Sequence, residues 1–237
     1  MSLFYRALRG SEFSASTRNL ESGPKLLPAT ECISGTRTTS ILPPTTLHHL
    51  TQNPINPPYP ANLAQVSFGM GCFWCSESLF FRKKGIYITA VGYSQGVTPH
   101  PTYEEVCSGR TNHAEVVRIV YDPEIIKFEE LLKEFWDRHD PSVLNRQGND
   151  VGTQYRSGIY YTSEQQRVLA EESKKIFHNI FTTKHPTMTV VTEIEKERDF
   201  YFAEEYHQQY DAKPGSRQYC GLKPTGLVLP AEFVRRS

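Results

Sequence analysis

The chain has 237 residues, enough for one large domain or two small ones with a sizeable core. Lys+Arg and Asp+Glu balance at 26 each, so overall charge gives no reason to expect nucleic acid or an anionic membrane, and the expected partner is a protein or a small molecule. No stretch approaches the roughly 18 consecutive apolar residues of a spanning helix, and five cysteines, an odd number without a secretory apolar region, point to a reducing compartment and thiols used for chemistry.

Residues 1–64 hold eight of the sixteen prolines, many Ser and Thr, and little periodic apolar pattern. Such a segment buries too little apolar surface to offset its ordering entropy, and it is expected to be disordered or loosely draped. Arg6 and Arg9 with no acid before Glu12 faintly resemble a mitochondrial transit peptide, against which Glu12, Glu21 and Glu31 argue. The expected location is the cytoplasm, with the mitochondrion as the alternative.

From Gln65 the elements alternate, and one α+β domain over 65–224 followed by a tail over 225–237 is the economical reading. Gln65-Val66-Ser67-Phe68 predicts a strand entering a glycine turn, and Trp74 to Phe81 the first turns of a helix. Between them lies Gly69-Met70-Gly71-Cys72-Phe73-Trp74-Cys75-Ser76-Glu77. Cys72 at a helix start would meet unpaired N–H groups and the positive end of the dipole, which lower a thiol pKa from about 8.5. Phe73 and Trp74 would wall a site for a small apolar group such as a methyl. The competing reading is that both cysteines and both rings are core packing.

Ile86–Val91 predicts a strand, and Thr102 after Pro101 caps a short helix through Cys107, which reads as a buried thiol. Ala114–Tyr121 predicts a strand stopped by Asp122-Pro123. Phe128, Leu131, Leu132, Phe135 and Trp136 fall at helical spacing. Asp140–Thr153 is a polar loop of a length that is uncommon unless functional. A strand at 158–161, a capped helix from Ser163 to about Ile180, a strand at 189–194 and a helix at 200–210 follow, and the tail from Lys213 carries Cys220.

Joined to Cys72-Phe73-Trp74, the blocks Tyr103-Glu104-Glu105-Val106-Cys107-Ser108-Gly109, His113-Ala114-Glu115-Val116-Val117 and Asp150-Val151-Gly152-Thr153-Gln154-Tyr155-Arg156-Ser157 resemble the peptide methionine sulfoxide reductases of the A type. The likeness runs through residues 65–224 with the blocks in family order. It implies an α+β single domain with a ferredoxin-like mixed-sheet core and a long irregular C-terminal tail. It also implies reduction of methionine S-sulfoxide, free or within proteins, with thioredoxin as reductant and no bound cofactor or metal. By motif, Cys72 is the nucleophile, Phe73 and Trp74 line the methyl pocket, and Glu115 gives a proton to the sulfoxide oxygen. Tyr103 and Tyr155 donate hydrogen bonds to that oxygen, and Asp150 supports the network. A neutral carboxylic acid beside phenols suits a sulfoxide, whose sulfur is a poor electrophile until its oxygen is protonated. A monomer is expected.

The resolving thiol departs from the commonest family pattern. Tyr219-Cys220-Gly221 matches the family's first tail cysteine, no second one follows, and Cys75 stands where many relatives have Gly. Both Cys75 and Cys220 are candidates, and both are expected to take part. Rival readings are a zinc site built on His113-Ala114-Glu115 and CxxC, for which Gly71 replaces the usual proline and the motif order is reversed, a CxxC disulfide oxidoreductase, and a non-catalytic peptide-binding module.

Overall fold

The structure is a computed structural model that describes residues 23–216 and 220–235. Its first strand, β1 (Ala64–Met70), is buried continuously from Val66, and the alternate residues Val66, Phe68 and Met70 enter the main core. After it come α1 (Phe73–Ser78), β2 (Ile86–Ser94), α2 (Tyr103–Cys107), β3 (Ala114–Tyr121) and α3 (Phe128–Arg138). The polar loop folds into a two-residue hairpin, β4 (Arg146–Gln147) with β5 (Asp150–Val151). The chain then forms β6 (Ser157–Tyr161), α4 (Glu164–Lys184), β7 (Glu193–Lys196), β8 (Tyr201–Phe202) and α5 (Ala231–Val234).

Six strands make one mixed sheet in the order β7-β6-β1-β3-β2-β8, in which only β6 and β7 run parallel. The inner four, with α1 and α3 between them in sequence, are the ferredoxin-like core. Val117, Ile119 and Tyr121 of β3 and Ile159 of β6 join the β1 residues under α3 and α4. Those two helices lock through Trp136, whose ring stacks on Phe177 at 5.1 Å and whose Nε1–H donates to Ser173 Oγ at 2.8 Å. Among the described residues no helix is long and apolar enough to cross a membrane.

Part of the N-terminal segment packs on the sheet's other face. Residues 23–63 have almost no regular structure, yet Leu42 and Ile55 are buried against Ile88, Ala90 and Val120. Burying two such side chains contributes about 1.5–3 kcal/mol each, and His48 adds a buried bond from Nε2 to Thr89 Oγ1 at 3.1 Å. A few anchors thus hold a segment whose composition alone predicts disorder, while residues 1–22 lie outside the described residues. At the other end, Leu227, Leu229 and Phe233 belong to the main core.

The helix expected at 200–210 is absent. β8 and two 3-10 turns, Glu205–His207 and Tyr210–Ala212, take its place, and the strand expected from Thr189 begins only at Glu193. Buried polar side chains explain the irregular path. Gln208 donates to Val91 O at 2.8 Å and accepts from Val91 N at 2.9 Å, and Gln209 Nε2 reaches Thr89 O at 3.1 Å. With Asn53 Nδ2 on Tyr87 O at 2.9 Å, three side-chain amides finish the outer edge of β2 beyond its short pairing with β8. A helix would have kept the 208–209 backbone to itself and turned these amides away.

Candidate active site

Gly71 leaves β1 at φ +90°, and a Cβ there would lie 2.5 Å from Gln147 Cβ, so the turn before Cys72 is pressed against the β4–β5 hairpin. Cys72 is the residue before α1, half-buried, and Cys75 lies buried one turn on. The first helical N–H, that of Phe73, donates to Glu115 Oε2 at 3.0 Å. Glu115 projects from β3, 2% exposed, and burial pushes its carboxyl up to about 8 against the pull of that N–H, with the charges of Asp150 and Cys75 adding to the rise.

The thiols differ from the expectation. Cys72 is raised rather than lowered, first by hydrogen bonding its thiol to Cys75, then by burial and by Glu115, and the backbone amide of Cys75 at the helix start is the weakest influence and the only one pulling down. A six-residue helix supplies little dipole, and its leading N–H is already engaged by Glu115. The complementary effect falls on Cys75, lowered to about 7 by the Cys72 thiol, with the Gly221 N–H and Cys220 assisting. Gly221 N lies 3.2 Å from Cys75 Sγ. Cys220, exposed and raised to about 11 mainly by burial of its sulfur, is a further hydrogen-bond partner of Cys75. The sulfurs therefore follow one another in the order Cys72, Cys75, Cys220. Tyr219 lies outside the described residues.

Around this line stand the other expected residues. Tyr103 opens α2, whose capping box pairs Thr102 with Glu105. Its phenol is raised by burial, by a hydrogen bond to Cys107 and by the charges of Glu115 and Tyr155. Tyr155, in the turn after β5, is raised by burial and then by Glu115, Cys107, Asp150 and Cys72. Asp150 is raised by burial, and its Oδ2 is a buried oxygen with no hydrogen-bond partner. Cys107, read from sequence as buried, is exposed at this rim.

Phe73, 1% exposed, and the partly buried Trp74 form the apolar wall with Val91, Tyr93, Val106 and Ala203. Sequence reasoning missed the residues that hold this wall. Trp74 Nε1–H donates to His207 Nδ1 at 3.0 Å, and its ring stacks on Tyr210 at 4.1 Å with planes 13° apart. Glu204 accepts from Tyr93 OH at 3.0 Å and Tyr103 N at 2.9 Å. These partners come from a segment whose aromatics mimic helical spacing, and no local signal marks them.

A family model described as peptide methionine sulfoxide reductase matches residues 64–228. The chain belongs to the peptide methionine sulfoxide reductase family. It is 52% identical over 185 residues to the peptide methionine sulfoxide reductase MsrA of Saccharophagus degradans, covering 78% of this chain and 85% of that protein. Methionine sulfoxide reductase A of Corynebacterium diphtheriae superposes with a TM-score of 0.74 at 33% identity, covering 84% of this chain and all 100% of that one. The reduced form of Mxr1 from Saccharomyces cerevisiae gives 0.61 at 32% identity over 70% of this chain and 94% of its own. Among the described residues no group of three or more His, Cys, Asp or Glu is placed to hold a metal ion.

Proposed function

We propose that the chain reduces methionine S-sulfoxide, free or in proteins, to methionine, and that thioredoxin regenerates it in the cytoplasm. Family membership supports the reaction. The observation that carries the mechanism is a buried Glu115, its carboxyl pushed up to about 8 by burial, bonded to the first N–H of the helix that begins beside Cys72.

The sulfoxide methyl packs against Phe73 and Trp74, and Glu115, Tyr103 and Tyr155 face the oxygen. Cys72 passes its proton to Cys75 along their hydrogen bond and attacks the sulfoxide sulfur while Glu115 protonates the oxygen. The oxygen then shifts from the methionine sulfur to the Cys72 sulfur as the new S–S bond breaks, so methionine leaves with two electrons gained and Cys72 keeps the oxygen as a sulfenic acid. Asp150 keeps Glu115 protonated by its charge.

Cys75, the thiol bonded to Cys72, condenses with the sulfenic acid, releasing water and leaving a Cys72–Cys75 disulfide. Cys220 then attacks the Cys75 sulfur, freeing Cys72 and carrying the disulfide to the exposed tail, where a thioredoxin dithiol can reduce it. The test is methionine release from the separate S and R epimers of a blocked methionine sulfoxide with dithiothreitol. Turnover of the S epimer alone, lost in Cys72→Ser, is expected. Turnover of neither epimer would overturn the reading.

A further inference from the structure

Two buried asparagines outside the reacting groups form the corners that lead into the acid-bearing elements. Asn112, 8% exposed at φ +59°, immediately precedes His113 and the strand with Glu115. Asn145, 6% exposed at φ +50°, precedes the hairpin with Asp150, and its carbonyl accepts from Gly152 N at 3.0 Å. Gly152 O in turn accepts from Tyr155 N at 3.0 Å, so the Asn145 corner sets the path to both Asp150 and Tyr155.

Neither side chain finds its partner nearby in sequence. Asn112 Oδ1 accepts from Leu27 N at 2.9 Å while its Nδ2 donates to Leu27 O at 2.7 Å, reading both backbone groups of one residue as a neighbouring strand would. Asn145 Nδ2 donates to Pro24 O at 2.7 Å. Two more bonds continue the line, from Ile33 N to Arg110 O at 3.0 Å and from Thr98 Oγ1 to Ile33 O at 2.7 Å. Gly35, at φ +79°, lies so close that a Cβ would stand 2.8 Å from Thr98 Cγ2 and 2.9 Å from Pro99 O.

We propose that residues 24–36 are a fixed part of the catalytic site, a strap whose backbone, gripped by Asn112 and Asn145, holds Glu115 and the Asp150–Tyr155 hairpin in register with each other. Resting on the reductase reading above, the inference makes the two asparagines positioning residues. Both corners take left-handed backbone conformations, and an amide at each ties them to the same N-terminal segment, in which Ala29–Glu31 form a 3-10 turn. Displacing a proton donor by about 1 Å lowers a rate as much as a hundredfold.

The experiment compares single-turnover methionine formation and melting temperature in the full chain for wild type, Asn112→Ala, Asn145→Ala and Asn53→Ala. Asn53 belongs to the same N-terminal segment but bonds Tyr87 O, away from both corners. The expected result is a roughly tenfold or greater loss of rate at saturating substrate for the two corner variants, with Asn53→Ala within twofold of wild type at a comparable loss of melting temperature. Gly35→Ala, which pushes only on the strap, should lower the rate in the same direction and serves if a corner variant fails to fold. Rates within twofold of Asn53→Ala for every folded strap variant would overturn the proposal. Wild-type turnover, read in the same assay, separates that outcome from a failure of the reductase reading, which would take the strap's catalytic role with it.

Discussion

Glu115 must be neutral to give a proton, and its environment makes it so at a definite pH. With its carboxyl pushed up to about 8, the acid form dominates below that pH and is lost above it, so single-turnover rates should fall on the alkaline side of pH 8. Because the Asp150 charge helps raise Glu115, Asp150→Asn should move this fall to lower pH, measured as a rate profile from pH 6 to 9. Glu115→Gln should lose about a hundredfold or more, the usual worth of a general acid. For the thiols, the sulfur order predicts that Cys75→Ser stops disulfide formation after one methionine is released. Cys220→Ser should instead leave one fast turnover and a dithiothreitol-driven rate while abolishing the thioredoxin-driven one; equal effects of the two variants would refute the relay. Cys72, Phe73, Trp74, Glu115 and Asp150–Tyr155 could be picked out as candidates because each sits in a short linear motif, and their roles stand as proposed above. The protonation of Cys72 was not legible, since a helix start says nothing of a second sulfur and a carboxyl competing for the same amides.

Among the elements, the stretch from Phe200 to Ala212 shows where sequence pattern stops informing. Its apolar and aromatic residues repeat at helical intervals, but Glu204, His207, Gln208 and Gln209 all turn inward to bond groups on β2, α1 and α2. Those partners are more than a hundred residues away in the chain, as with the 133 that separate Trp74 from His207. By contrast Thr102, Ser163 and the amphipathic α3 were legible, because capping and periodicity are local. His207→Phe keeps the ring packing on Phe73 and Tyr103 but removes the acceptor for Trp74. Losing about 1 kcal/mol of hydrogen bonding should raise KM about fivefold with kcat little changed, measured by steady-state kinetics on the S epimer.

At the scale of the molecule, buried titratable groups set a pH window for stability. Glu77 and Glu115 are raised by burial to about 7 and about 8. From near pH 4.5 up to those values the folded chain holds protons that the unfolded chain has released, so their contribution falls as pH rises. His48, His139 and His207, lowered to about 4 by burial, act oppositely: their contribution is lost as pH falls below 6.5. Between pH 6.5 and 7 both carboxyls act and stability should decline by up to about 1.4 kcal/mol per pH unit for each ionising group; above pH 7 the fall from Glu115 is opposed by Cys75, whose thiol is lowered to about 7. Glu77→Gln should flatten the part of that decline below about pH 7, checked by melts at pH 6.5, 7 and 8.

The amides of Asn53, Gln208 and Gln209 along β2 bear on how the chain keeps company with other chains. A sheet edge with open N–H and C=O groups invites another strand to add to it. On this edge Tyr87, Thr89 and Val91 offer backbone groups that internal side chains already occupy, and β8 fills the positions beyond. A reductase that acts on methionine sulfoxide within proteins would otherwise present its protein substrates with a template for pairing. Gln208→Ala should uncover the Val91 N–H and convert a chain that survives mixing with denatured protein into one that co-aggregates with it, as light scattering would record.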